Sequence, residues 1–299
     1  MWRLLLTLLL SALPWLVTPS PARAFSLSPA IIEERGDPGS TIFGEVELKN
    51  TDAFPQTLYP SIRKFLPKGE EGQQTFLPES DVSGIPSWIY LATSKVTLEP
   101  LSSARIAFEI RVPTLATPGG HYAAIFWSNS QPMRTGVGVT TASRIGSLIF
   151  FTVNGALEEK ARMTDFSVQN STGLEGLPVT FRVRFENTGT THIKPQGVIR
   201  ITNIFGRSVA QLPVNPDELR LLPGQSRTLK SDWLKKDAPF FAVGPFVASL
   251  TVTEPVTELV FSSSVRFWLF PWKSISVFVL VLMSLIAGLV SLNRARRRV

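Results

Sequence analysis

The sequence predicts an all-β fold: two tandem immunoglobulin-like β-sandwiches followed by a single transmembrane helix. Three features of its 299 residues predict it. Between its ends the chain is a series of short segments that alternate apolar and polar residues, with Pro and Gly clusters between them. Strand-turn patterns repeat in the same order in the two halves. A long uncharged run lies near the C-terminus and is followed by arginines.

The chain opens with MWRLLLTLLLSALPWLVTPSPARAF, which has one early charge at Arg3, an apolar run from Leu4 to Val17 and the small-residue pattern Ala22-Arg23-Ala24. This is the grammar of a secretory signal peptide over residues 1–24, with cleavage after Ala24. Next come STIFGEVELKN, SARIAFEIRVP, GSLIFFTVNG, VTFRVRFENTG and FVASLTVTE, all rich in Val, Ile, Phe and Thr. Alternation with period two marks strands half buried in sandwiches. Outside the termini no stretch carries a long period of 3.6, so helix is expected only as short turns.

The repeat sets the domain count. GEVELKNTDAFPQTLYP, around Asn50, parallels FRVRFENTGTTHIKP, around Asn187. LEPLSSARIAF from Leu98 parallels LLPGQSRTLKS from Leu221, and GGHYAAIFW from Gly119 parallels VGPFVASLTV from Val243. We place the first sandwich at 25–157 and the second at 158–266, divided where NGALEEKAR turns charged. The first copy has an extra polar segment, FLPKGEEGQQTFLPESDVSGIPSW, and continues past Trp127 into GVGVTTASRIGSLIFFTVNG, which is expected to add one or two strands.

The anchor segment is assigned to 267–292. Within it Ser274–Leu292 is uncharged over nineteen residues, close to the roughly 20 needed to span a hydrocarbon core. Trp268 and Trp272 precede it at interface positions, and a basic tail, 293–299, follows with Arg294, Arg296, Arg297 and Arg298. The expected topology is a single pass through the cell membrane, with a cytoplasmic C-terminus and the sandwiches outside.

That topology explains the formal charge of +7. Arg3 and Arg23 belong to the leader, and Lys273 and the four tail arginines flank the span. The other 23 Lys and Arg match the 23 Asp and Glu, so the ectodomain is neutral and no nucleic-acid partner is expected. There is no cysteine, which excludes thiolate catalysis and cysteine metal sites.

Constellations for chemistry are scarce. His121 and His192 are the only histidines, one per copy, and the chain has no nucleophile elbow, phosphate loop or zinc-protease motif. Acid pairs such as Glu33-Glu34, Glu70-Glu71 and Glu158-Glu159 are adjacent in sequence; on a strand, neighbours point to opposite faces, so they read as solvated charges. No catalytic residue, metal or cofactor is expected. Along TPGGHYAAIFW, Pro118, Gly119 and Gly120 read as a turn; Tyr122, Ala124 and Phe126 share one strand face, read as core, and His121, Ala123, Ile125 and Trp127 the other. The ligand-binding candidates are Trp88 and Tyr90, which end the extra segment, with His121 and Trp127 on the face left available.

PGGHYAAIFW, followed by GVGV and RIGSLIFFTVNG, resembles the membrane-anchored bacterial surface proteins that interact with WxL proteins. SPAIIEERGDPGSTIFGEVELKN and SWIYLATSKVTLEP extend the resemblance over Phe25 to about Gly155, and the second half matches in architecture. The resemblance implies a peptidoglycan-binding-type first domain, an immunoglobulin-like second domain, and contact with cell-wall glycan or a secreted WxL-type surface protein. A non-enzymatic binding or scaffold role is therefore the first expectation. The alternative is a membrane-tethered periplasmic chaperone or assembly factor for secreted or pilus-like subunits, using an exposed strand and the cleft between sandwiches; a membrane-anchored hydrolase is the third.

Overall fold

The computed structural model describes residues 25–296 except 71, 131–142, 159, 170–175, 239–241, 256–258 and 271. The leader, the GVGVTT stretch and the end of the basic tail therefore lie outside the described residues. Within them the chain is all-β up to one C-terminal helix, and the only other helical elements are two 3-10 turns, Ile85–Ser87 and Lys235–Asp237.

The first half carries ten strands: β1 (Phe25–Ser28), β2 (Ile31–Gly36), β3 (Thr41–Asn50), β4 (Gln56–Lys68), β5 (Gln73–Phe76), β6 (Ile89–Leu91), β7 (Val96–Leu98), β8 (Ser103–Arg111), β9 (Gly119–Ser128) and β10 (Arg144–Val153). One sheet has the order β1-β3-β8-β6; the other runs β2-β10-β9-β4-β5, with β7 also on β4. The chain changes sheets at Ser28-Pro29, so β1 pairs antiparallel with β3 while β2 lies parallel to β10. Val46, Leu48, Phe108 and Ile110 from one sheet meet Ile32, Leu58, Ile125, Trp127, Ile149 and Phe151 from the other.

The second half carries β11 (Ala161–Gln169), β12 (Val179–Asn187), β13 (Gln196–Asn203), β14 (Ser208–Val214), β15 (Ser226–Trp233), β16 (Gly244–Thr253) and β17 (Val260–Leu269). Its sheets run β11-β12-β15 and β14-β13-β16-β17. They close over a core of their own that includes Phe181, Phe185, Ile199, Trp233, Phe246 and Phe267. β17 runs on past Arg266 to Leu269.

The two sheet pairs share one wiring. β1-β3-β8 corresponds to β11-β12-β15, and β10-β9-β4 to β17-β16-β13. β10 is therefore no addition to the first copy, as the run past Trp127 suggested, because β17 is its counterpart. The additions specific to the first half are parallel β2 and β6; the β4–β5 hairpin has its counterpart in β13–β14.

The repeated Asn is the joint that fixes each copy. Asn50 donates from Nδ2 to the carbonyls of Phe54 (2.8 Å), Leu98 (3.2 Å) and Glu99 (3.1 Å), and its Oδ1 accepts from the Asp52 N–H. Asn187 donates to Thr191 (2.8 Å) and Leu221 (2.8 Å), and accepts from the Gly189 N–H. Both side chains are fully buried, so each ties a strand end to the turn after it and to a segment far along the chain.

That distant segment is a proline turn, Glu99–Ser102 in one copy and Leu222–Gln225 in the other, closed by the N–H of its last residue on the carbonyl of its first. Its third residue is left-handed in both: Gly224 at φ 72 and Leu101 at φ 56, with the Leu101 side chain 71% exposed. A side chain in this region costs about 1–2 kcal/mol, more than the extra entropy that glycine loses on folding. Leu101→Gly should therefore raise stability by about 0.5–1 kcal/mol, seen as a higher urea midpoint at unchanged slope; an unchanged or lower midpoint would count against it.

After β17 comes α1 (Trp272–Arg296). Among the described residues no helix is long and apolar enough to cross a membrane. The uncharged run Ser274–Leu292 lies within α1, several of whose side chains fall outside the described residues.

Candidate functional site

The four residues singled out in the sequence do not form one surface. Trp127 is fully buried and Trp88 is 8% exposed; both belong to the core of the first sandwich. The face of β9 that was expected to be free is the one packed inward, which withdraws Trp127 and Trp88 as ligand contacts. Trp88 meets His121 with ring centroids 4.7 Å apart, and His121 Nε2 lies 2.9 Å from the Thr117 carbonyl. Burial pushes the His121 imidazole below its ordinary value of 6.5. Tyr90, on edge strand β6, stays open to solvent, with the Arg111 guanidinium 4.3 Å from its ring centre.

The opposite face of β9 is buried too, by the second sandwich. Phe65, Tyr122, Ala124 and Phe150 form an apolar cluster that Leu222 enters from the other half of the molecule. Sheet faces covered on both sides require apolar residues at consecutive positions, and YAAIFW and LIFF show that pattern. The glycines before β9 serve the same contact. Gly119, at φ 132, leaves room for the Thr190 carbonyl, which a Cβ would approach to 2.9 Å; the Gly120 N–H donates to that carbonyl at 2.8 Å. A side chain at Gly120 would collide with the Tyr122 hydroxyl. These glycines therefore begin the strand where the two halves meet.

Glu33 on β2 is the polar centre of the junction. Its carboxylate accepts from Lys194 Nζ (3.1 Å) and from Arg220 Nε (3.1 Å) and Nη2 (2.6 Å), and lies 3.0 Å from His192 Nε2. All three partners belong to the second half. The His192 ring packs on Phe150 and Tyr122, and Arg220 lies 5.1 Å from the Phe150 ring centre. The His192 hydrogen bond, helped by Arg220 and Lys194 and opposed by burial, holds the Glu33 carboxyl far below its ordinary 4.5. Burial raises the Tyr122 phenol well above 10.0.

The reading of Glu33 as a solvated charge is thus overturned, because parallel β2 carries it into the junction. Glu70, at the β4–β5 hairpin, likewise pairs with Arg184 of β12. The hairpin and the second half enclose a cleft of about 110 Å³, lined by Gly72, Phe150, Leu222 and Arg227 among others.

A second feature is the edge of β10. The Asn129 N–H donates to the Ser143 carbonyl, so by alternation Ile145 and Ser147 turn their backbone groups to β9, and Arg144, Gly146 and Leu148 turn theirs away. The Leu148 N–H is taken by the Ala30 carbonyl (2.9 Å), and β2 covers β10 only from Leu148 to Val153. Among the described residues no strand covers the edge at Arg144 to Gly146. The Arg144 side chain points away from that edge, across β9, donating to Ser61 Oγ on β4 (2.6 Å) with its guanidinium 4.2 Å from the Phe126 ring centre. Nothing in the apolar/polar alternation of RIGSLIFF marks where β2 stops.

No family model and no curated protein matches the chain. Solved structures align with the chain at TM-scores below 0.5. The class 5 fimbriae chaperone CfaA aligns at TM-score 0.41 and 11% identity over 81% of this chain and 98% of its own. A chain from a chaperone–tip adhesin complex of CFA/I fimbriae biogenesis aligns at TM-score 0.39 and 12% identity, over 83% and 99%. The E. coli chaperone DraB aligns at TM-score 0.38 and 13% identity, over 83% and 97%.

Proposed function

We propose that this chain is a non-enzymatic, membrane-tethered binding and assembly factor outside the cytoplasmic membrane. It takes an extended segment of a secreted protein onto the open edge of β10. The observation that carries this reading is that edge: Arg144 and Gly146 turn N–H and C=O groups outward where β2 stops short of the start of β10. Such an edge offers backbone hydrogen bonds to an added strand.

Tethering is the other half of the proposal. Val277, Leu280, Leu285, Ile286 and Leu289 of α1 are all between 52% and 64% exposed, so the helix shows apolar side chains to its surroundings on every turn. A helix apolar all round belongs inside protein or lipid, and the sandwiches do not enclose it. With arginines following, a span with a cytoplasmic tail supplies the missing environment.

A photo-crosslinking residue at Arg144 in the full-length membrane protein tests the binding surface, with the same residue at Lys49, on central strand β3, as control. The expected result is a discrete protein adduct from position 144 and none from 49. Adducts of muropeptide mass alone, or equal adducts from both positions, would contradict it.

A further inference from the structure

The end of the second sandwich that adjoins α1 displays a group of exposed apolar side chains. Strand register locates them. Asn203 at the end of β13 pairs with Phe246 near the start of β16, and Phe246 pairs with Phe267 near the end of β17. The β13–β14 turn, the segment entering β16 and the exit of β17 therefore lie at one end of one sheet. α1 begins at Trp272, just beyond that exit.

The turn is built to hold its tip outward. Asn203 Oδ1 accepts from the N–H groups of Phe205 (3.0 Å) and Arg207 (3.1 Å), and the Gly206 N–H donates to the Asn203 carbonyl (3.0 Å). The backbone needs are thus met inside the turn, yet its tip is Ile204, 64% exposed, and Phe205, 79% exposed. Tight turns are ordinarily polar at the tip, because a side chain there buries nothing. Val243, Trp268, Phe270 and Trp272 are exposed at the same end. Lys235 and Lys236, in the 3-10 turn between β15 and β16, add exposed positive charge. Aromatic rings with lysines beside them match the boundary between headgroups and acyl chains.

We propose that this end of the second sandwich is a lipid-contacting face: Ile204 and Phe205 insert at the bilayer interface beside Trp268, Phe270 and Trp272, and Lys235 and Lys236 meet anionic headgroups. The inference rests on the reading of α1 as a membrane span, and continuity with that helix is what selects lipid over another occupant. It also orients the molecule. The residues that meet the first sandwich, Thr190 to Lys194 and Arg220 to Gln225, lie at the opposite ends of the strands, so the first sandwich stands about one strand length, roughly 33 Å, from the lipid.

The absence of native cysteine permits a direct test. Single-cysteine variants of the full chain, Phe205→Cys, Val260→Cys and Val281→Cys, carry a fluorophore in phosphatidylethanolamine/phosphatidylglycerol nanodiscs. The discs contain lipid with a nitroxide either near the glycerol or near the chain end. Val260 starts the same strand that ends near Trp268, about 26 Å away, and serves as the control. The label at 205 should be quenched at least about twofold by the shallow nitroxide and the label at 260 left unchanged, as expected for interfacial insertion. The label at 281 should respond to the deep nitroxide.

If 281 is quenched and 205 behaves like 260, the lipid-contacting face is refuted and the span stands. If 281 is not quenched, the span is refuted, and quenching at 205 would then keep the face as a peripheral one. Shielding of 205 that is the same with and without nitroxide would mean that a second copy covers the turn, which also overturns the proposal.

Discussion

Glu33→Gln is expected to lower the stability of the two-sandwich body by about 2 kcal/mol at pH 7, between the values for an exposed ion pair and for a fully buried one, because the carboxylate is partly exposed. The variant leaves Lys194 and Arg220, with side chains 21% and 12% exposed, facing a neutral amide. The same residue gives the wild type an acid limb. A carboxyl held below its ordinary value contributes stability that is complete above about 4.5 and is lost as the pH falls below it. Glu33→Gln should therefore flatten the loss of stability between pH 5 and more acid conditions. Urea titrations at a series of pH values read both effects; an acid limb as steep in the variant as in the wild type would show that other carboxyls carry it.

The second large effect is expected at the paired asparagines. Asn187→Ala removes three hydrogen bonds and leaves the Thr191 and Leu221 carbonyls buried without that donor, at a cost of about 3 kcal/mol. Asn187→Asp should cost more at pH 7, since it aims a carboxylate at two carbonyl oxygens. Asn50→Ala should cost about as much in the first sandwich, for the same reason. Thermal or urea unfolding of the three variants checks the set. If Asn187→Asp is as stable as wild type, the donor role of the amide is wrong.

These asparagines also show how much of the fold the sequence made legible. Asn50 and Asn187, with Leu98 and Leu221, fall at corresponding places in the repeat, and each pair makes the same buried bond. The strands themselves followed from period-two alternation. The junction was less legible for two physical reasons. In YAAIFW both faces are apolar, so period two could not tell the sandwich core from the face closed by the second half, and Trp127 was placed on the wrong side. Glu33 looked like one of several adjacent acids, since its three partners lie some 160 to 190 residues away. The limit of β2 along β10, which opens the edge at Arg144, is a matter of where the chain switches sheets at Ser28-Pro29, and residue pattern alone does not state it.

A fixed relation between the sandwiches underlies the rest, since it sets the open edge of β10 in a defined position relative to the second sandwich. Spin labels at cysteines introduced for Lys49 and Ser262, one on each sandwich, measure it by electron–electron double resonance on the full chain. A single narrow distance distribution in the wild type that broadens in Glu33→Gln is the predicted result. A distribution already broad in the wild type, or one that the substitution leaves narrow, would contradict the role given to the Glu33 cluster.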